Sequence, residues 1–232
     1  MRSHTHCDPG LHAARSLAAA AAAALLLACG KSSSGVAAPS PPPAAALAGT
    51  LFGQPFTPAD AAALLPGQGS CTLASVTASA TGLAVRFGSF QGICSLMTSQ
   101  NRTCGSRANA TVLTLVVVSA KRGGAAAPVQ PGTYTLTASI PAPDSQGNFA
   151  IAEAFAAKTE ACTAAPSASY AASGTITINT VGSTVTGSAD LTFSDGGHVS
   201  GSFSAPACSL QVDVCTLFSD LGEGCIVQAC VP

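Results

Sequence analysis

The sequence is poor in charge and in aromatic rings. Asp, Glu, Lys and Arg make up only 8% of its 232 residues, the formal net charge is −1, and tryptophan is absent. Nucleic-acid binding requires clusters of Lys and Arg that neutralise phosphates. The composition therefore excludes a protein that follows a nucleic-acid backbone.

Long hydrophobic runs are also missing. Residues 16–28 are mainly apolar and follow Arg2 and Arg15, but a helix needs about 20 apolar residues to cross a hydrocarbon layer about 30 Å thick. A basic start, a short apolar core and a small residue such as Ala28 are typical of a secretory signal. We expect residues 1–28 to be a signal peptide rather than a membrane span.

Cys29 ends the run Leu26-Leu27-Ala28-Cys29, which resembles the lipobox of bacterial lipoproteins. In those proteins the cysteine thiol receives a diacylglyceryl group, and cleavage leaves the acylated cysteine as the first residue. The resemblance implies that Cys29 carries acyl chains such as palmitate, and two or more chains give stable membrane anchoring. An acidic residue after the cysteine favours inner-membrane retention in such lipoproteins, so Gly30 implies the outer membrane or cell surface. An ordinary signal peptide with an incidental cysteine is the alternative.

Composition divides the rest of the chain into two parts. Residues 31–48 are rich in Ser, Pro, Gly and Ala and have no periodic apolar pattern, so we expect residues 29–48 to be a lipidated, flexible tether. Residues 49–232, called the head below, are long enough for one domain with a core and too short for two ordinary ones. We expect the head to be a single β-rich domain.

The head contains eight of the ten cysteines, since Cys7 lies in the signal and Cys29 takes the lipid. An even number of cysteines in an exported chain predicts disulfides, although spacing does not determine the pairing. A zinc site would need closer pairs such as C-x-x-C with histidines nearby, and we predict neither a metal nor a cofactor. The disulfide candidates are Cys71, Cys94, Cys104, Cys162, Cys208, Cys215, Cys225 and Cys230.

Two short helices are predicted in the head. The first covers residues 57–65, with Thr57 as its cap and Asp60 near the positive end of the helix dipole. The second covers residues 93–102, where apolar side chains recur at helical spacing. Gly and Pro residues bound both segments and favour helix ends there.

Most of the remaining head alternates apolar and polar residues with period two, which indicates half-buried strands. Residues 184–193 and 198–205 show the alternation most clearly and predict a hairpin, and residues 111–119 are apolar at both parities, as in a central strand covered on both faces. The pattern predicts an all-β fold, either an antiparallel β-sandwich or a distorted barrel, with one or two short helices and disulfide staples. Further strands are predicted near residues 71–80, 83–87, 134–140, 149–157, 174–180 and 209–217.

Glu153 breaks this pattern, because it shares its parity with Phe149, Ile151 and Phe155 in a row that should face inward. A β-bulge could redirect the side chain, or the whole row could face outward. An acid that points inward on an edge strand is a common structural device, so a functional role is the less favoured interpretation.

Three parts of the head resemble a group of uncharacterised secreted lipoproteins of myxobacterial type. They are residues 49–61, residues 131–134, and residues 174–177 continuing to 201–208. The group has no known activity, so the resemblance implies a location and a fold class only. It also implies a disulfide between Cys162 and Cys208, whereas the tail from Cys215 to Cys230 departs from the group's pattern.

Candidates for a catalytic role are few. His198 is the only histidine outside the predicted signal, and it lies on a polar strand face beside a turn, where a solvated side chain is the favoured interpretation. Hydrolysis by paired carboxylates would use Asp190 with Asp195, or Asp220 with Glu223. No G-x-S-x-G, H-E-x-x-H or phosphate-binding glycine loop is present.

These observations predict a lipid-anchored surface protein of the cell envelope with a non-enzymatic head. The head would present a binding or structural surface to an envelope partner, and the lipid at Cys29 would be its contact with the membrane. The alternatives are an envelope enzyme or enzyme inhibitor whose site has no recognisable motif, and a purely structural coat protein.

Overall fold

The described part of the chain contains thirteen strands and one helix. A computed structural model describes residues 46–73, 76–100, 106–137, 140–160, 167–210, 213–215 and 230–231. The elements are β1 Ala48–Leu51, β2 Gln54–Phe56, β3 Asp60–Leu64, β4 Gly69–Leu73, β5 Val76–Gly88, α1 Ile93–Gln100, β6 Ser106–Arg107, β7 Ala110–Lys121, β8 Gly132–Thr135, β9 Asn148–Thr159, β10 Ser167–Thr180, β11 Thr184–Phe193, β12 His198–Pro206 and β13 Cys230–Val231.

Eleven of these strands form one sheet in the order β2-β1-β12-β11-β10-β9-β7-β5-β3, with β4 beside β5 and β8 beside β10. All its paired neighbours in this order are antiparallel. The sheet curls until the residues after β12 reach β3, where Ala207 bridges to Ala63 and the Cys208 N–H donates to the Ala63 carbonyl at 2.8 Å. The predicted all-β, antiparallel fold of distorted-barrel type is therefore confirmed.

The first core fills the concave side of this sheet. In the β11–β12 hairpin, alternate residues such as Val185, Leu191 and Val199 are fully buried there, while Asp190 and Thr192 between them face solvent. Period-two alternation causes this arrangement, since successive side chains point to opposite faces of a strand. The hairpin is confirmed as predicted from the sequence.

The second core lies on the opposite face of the same sheet. The predicted central strand is confirmed as β7, which sends Leu113, Leu115 and Val117 into the first core and Val116 and Val118 into the second. Such a strand is stable only if something covers each face. In the described residues, the cover of the second core is α1 together with residues 208–210 and 213–215.

Two disulfides fasten this cover to the sheet. Cys71 of β4 bonds Cys215, and Cys94 of α1 bonds Cys208, across sequence separations of 144 and 114 residues. Because each bond closes a long loop, each removes much conformational freedom from the unfolded chain. Val214, which lies between Cys208 and Cys215 in the sequence, is fully buried in the second core.

The structure corrects the cysteine pairing that the family resemblance implies. A Cys162–Cys208 bridge is wrong, because Cys208 bonds Cys94. Cys230 lies in β13, which pairs in parallel with β6. Cys104, Cys162 and Cys225 lie outside the described residues.

The predicted helix over residues 57–65 is wrong, whereas the helix that begins at Ile93 is confirmed up to Gln100. The first segment forms β3, because pairing with β5 from Asp60–Gly88 to Leu64–Ala84 outweighs the local helix propensity of its alanines. Asp60 still caps a helix, but a distant one. Its Oδ2 accepts the N–H groups of Gly92 and Ile93 at 2.8 and 2.9 Å, at the start of α1.

Three predicted strands also differ from the structure. The strand predicted near residues 134–140 ends at Thr135 as β8, and residues 136, 137 and 140 are not strand. Residues 71–80 belong to two antiparallel strands, β4 and β5, rather than one. Residues 209–210 and 214–215 are not strand, and Asp213 makes only an isolated bridge to Gly67. The rest of the predicted strand over residues 209–217 lies outside the described residues.

Replacing Gly82 by Ala should weaken the cover of the second core. A Cβ at Gly82 would lie 2.8 Å from Cγ2 of the buried Val214, so we expect a loss of about 1–3 kcal/mol in the free energy of unfolding. Urea denaturation measures the change. The matched control is Gly182→Ala, where a Cβ meets nothing within 4 Å and stability should stay equal or rise by up to about 1 kcal/mol. Equal effects of the two substitutions would contradict the packing described here.

Replacing Cys71 and Cys215 together by Ala should lower the free energy of unfolding by about 2–5 kcal/mol, because the long loop between them is then open in the unfolded chain. Urea denaturation of the oxidised proteins measures the loss. Peptide mapping without reduction checks the pairing itself. A peptide linking Cys162 to Cys208 would contradict the structure.

Candidate functional site

The sheet forks between β9 and β10. These strands pair from Ser167–Lys158 to Tyr170–Phe155, and beyond that point β8 takes the place beside β10. The two residues after β8 bridge the gap, since the Leu136 N–H donates to Gly174 of β10 at 3.0 Å and the Thr137 N–H donates to Ala152 of β9 at 3.1 Å. Leu136 and Thr137 therefore form a wedge at the fork.

A β-bulge at the fork decides which way Tyr170 faces. Ala171 pairs with Phe193 and Ser173 with Thr192, so β10 has one residue more than β11 at this point. Such an extra residue reverses the facing of all side chains beyond it. Ala171 consequently packs against the first core, and Tyr170 points to the other face, where its ring lies 6.1 Å from that of Phe155.

The chain also changes sides of the sheet at the fork. Tyr134 and Leu136 pack against the first core, whereas Ile140 packs against the second. Leu136 in the wedge is thus on the inner face, and Ile140 is on the outer face.

A cavity of about 330 Å³ lies at the fork. Its volume is at the lower end of the range for small-molecule pockets. Four of its lining residues are apolar, and the other three bring a hydroxyl, a carboxyl and a phenol ring. The lining residues are Leu136, Thr137, Ala152, Glu153, Ala154, Tyr170 and Ala171.

Glu153 lines this cavity from the outer face of β9. Its row does face away from the barrel interior, and Phe149 and Ile151 in the same row are buried in the second core, while Glu153 is exposed. No bulge redirects it, since the pairing of β9 with β7 runs without interruption. Partial desolvation by the surrounding residues raises the pKa of the Glu153 carboxyl.

Two polar groups at the cavity are not satisfied by the described residues. Thr137 Oγ1 is buried without a hydrogen-bond partner there, and the Glu153 carboxylate has no hydrogen bond or ion pair within the same part of the chain. Unsatisfied polar groups are costly when water is partly excluded. Thr137 Oγ1 and the Glu153 carboxylate therefore have no protein partner among the described residues.

The catalytic candidates that lie within the described residues do not assemble into one site there. His198 and Asp190 do meet, with Nε2 and Oδ1 2.8 Å apart, but both are well exposed on the outer face of the hairpin, and neither lines the fork cavity. Asp195 shapes the turn instead, accepting the N–H of Gly197 at 3.1 Å and that of Phe52 at 3.0 Å. Asp220 and Glu223 lie outside the described residues.

Sequence reasoning singled out Glu153 but missed its neighbours. Tyr170 and Thr137 gave no signal, because the bulge that turns Tyr170 and the wedge that carries Thr137 arise from contacts between distant strands. The sequence signal for this site was Glu153, an acid in an otherwise apolar row.

The described residues contain no helix that is long and apolar enough to span a membrane, and no group of three or more His, Cys, Asp or Glu that could hold a metal. No protein-family model, curated protein or solved structure matches the chain.

Replacing Glu153 by Gln should stabilise the protein at neutral pH. The raised pKa means that the charged form is less favourable in the folded than in the unfolded state, so Glu153 costs stability above its unfolded pKa of about 4.3. The free energy of unfolding should therefore rise slightly at pH 7. This gain should vanish as the pH falls below the unfolded pKa. Urea denaturation across this pH range measures it, with Glu160→Gln, just beyond the same strand, as the control. A loss of stability at pH 7 would show that the carboxylate is paired.

Proposed function

We propose that this chain is a lipid-anchored protein of the bacterial envelope whose head binds a small ligand or a partner group. The fork cavity carries the binding role, because it combines apolar walls with a hydroxyl, a carboxyl and an exposed aromatic ring at one place. Concave sites of this make-up are typical of ligand binding. The head acts in this proposal as a rigid carrier of the site.

The proposed location is supported by two independent features. The run from Leu26 to Cys29 has the residues that lipid attachment requires. The two disulfides fit a protein that folds in an oxidising compartment, where such bonds form and persist. Acyl chains at Cys29 would fix the protein to the outer membrane or cell surface, and the Pro-rich residues 30–45 would hold the head away from the lipid headgroups.

Replacing Cys29 by Ala should abolish lipid attachment. In a bacterial host fed a clickable palmitate analogue, we expect the natural chain to be labelled and to partition with membranes, and the Cys29→Ala variant to lose both properties. The control is Cys7→Ala, which removes a cysteine from the same segment and should leave labelling intact. A natural chain without label, or a Cys29→Ala variant that keeps it, would contradict the proposal.

A further inference from the structure

We propose that the fork cavity binds a quaternary ammonium group of choline type, with the Tyr170 ring as its platform and the Glu153 carboxylate as its counter-charge. This inference rests on the binding role proposed above but not on the lipid anchor. Both sources of such a group, free choline and a choline lipid headgroup, present the same trimethylammonium chemistry.

The carboxylate favours a cation over a neutral ligand. Glu153 has no hydrogen bond or ion pair among the described residues, yet it lines a cavity whose lining also includes four apolar residues. A charge that is partly desolvated and uncompensated is stabilised by an opposite charge within a few ångströms. A cationic ligand would supply that charge, and it would also favour the ionised form of Glu153.

Tyr170 supplies the second feature of an ammonium site. Its side chain is 53% exposed, although tyrosine is a large residue that usually buries its ring. The bulge at Ala172 holds it on the face of Glu153, and Phe155 supports it from the paired strand. A cation over an aromatic face is attracted by the ring quadrupole, and recognition of quaternary ammonium groups commonly uses this interaction.

The remaining lining distinguishes a choline-type ligand from a sugar or a primary amine. Leu136 offers apolar contact for the methyl groups of a quaternary ammonium, whereas a sugar needs many convergent polar partners. A primary ammonium would need several acceptors, and Glu153 is the only carboxylate among the described residues that line the cavity. Thr137 brings a hydroxyl without a partner in the described residues, which can pair with the hydroxyl or ester oxygen of a choline group.

The test compares choline with 3,3-dimethylbutan-1-ol, its uncharged isostere, on the full protein purified in a non-ionic detergent. Saturation-transfer NMR titrations measure both affinities. We expect choline to bind and the isostere to bind at least about tenfold more weakly, because only choline has the charge. Lowering the pH until Glu153 is protonated should weaken choline binding and leave the isostere unaffected.

Substitutions at the cavity test whether choline binds there. Tyr170→Leu and Glu153→Gln should each weaken choline binding several-fold, and Glu160→Gln should not. Circular dichroism of each variant confirms folding, which these exposed positions should preserve. In a second arm, vesicles of phosphatidylcholine compete with free choline only if the cavity admits a lipid headgroup, and vesicles of phosphatidylglycerol do not compete.

Equal binding of choline and its isostere, no choline binding at millimolar concentrations, or binding that is unchanged in Tyr170→Leu would each overturn the inference. None of these outcomes affects lipid attachment at Cys29, which is measured separately. A protein that binds the isostere at the cavity as tightly as choline would keep the proposed binding role and refute only the ammonium ligand.

Discussion

The burial of β7 on both faces is the constraint on which the rest of the structure depends. A strand with apolar side chains at both parities cannot leave either face in water. The curled sheet buries the inner face of β7 in the first core. On the outer face, α1 and the segment after β12 cover the second core. Because that segment begins where the sheet returns to β3, one stretch of chain helps with both tasks.

The same constraint creates the candidate site. Along β9, Phe149 and Ile151 are buried in the second core, whereas Glu153 in the same row is exposed and Phe155 beyond it is only partly buried, so burial in this row becomes incomplete at Glu153. At this boundary β8 enters beside β10, so β9 and β10 separate and leave a cavity. An acid that looked misplaced in the sequence therefore lies exposed in an otherwise buried or partly buried row, and it shares the cavity with a ring that a bulge has turned outward. A regularly paired sheet would have had neither the cavity nor the exposed Tyr170.

Local sequence patterns correctly predicted the elements that residues close in sequence specify. The alternation in β11 and β12, the doubly apolar β7 and the helical spacing after Ile93 all gave correct elements, since each pattern is written in residues that are close in sequence. Residues 57–65 failed because their alanines fit a helix locally, and only the distant β5 makes them a strand. Sequence could not give the cysteine pairing either, because it depends on which loops the curled sheet brings together.

The β1–β2 hairpin shows why such contacts escape a reading of the sequence. Its turn places Phe52 at φ 52, a conformation that large side chains rarely adopt. The Phe52 N–H is held there by Asp195, 143 residues away, at 3.0 Å. Nothing near Phe52 in the sequence predicts that bond. The bulge that turns Tyr170 is of the same kind, since it becomes visible only when β10 is aligned with β11.

Hydrogen–deuterium exchange of the oxidised and the reduced protein tests the central claim, that disulfide-fastened segments cover the outer face of a doubly buried strand. Reduction should accelerate exchange in β4 and α1, which hold Cys71 and Cys94, and leave the β11–β12 hairpin protected, because that hairpin belongs only to the first core. Acceleration that is equal in the hairpin and in β4 and α1, or absent from all of them, would contradict the account.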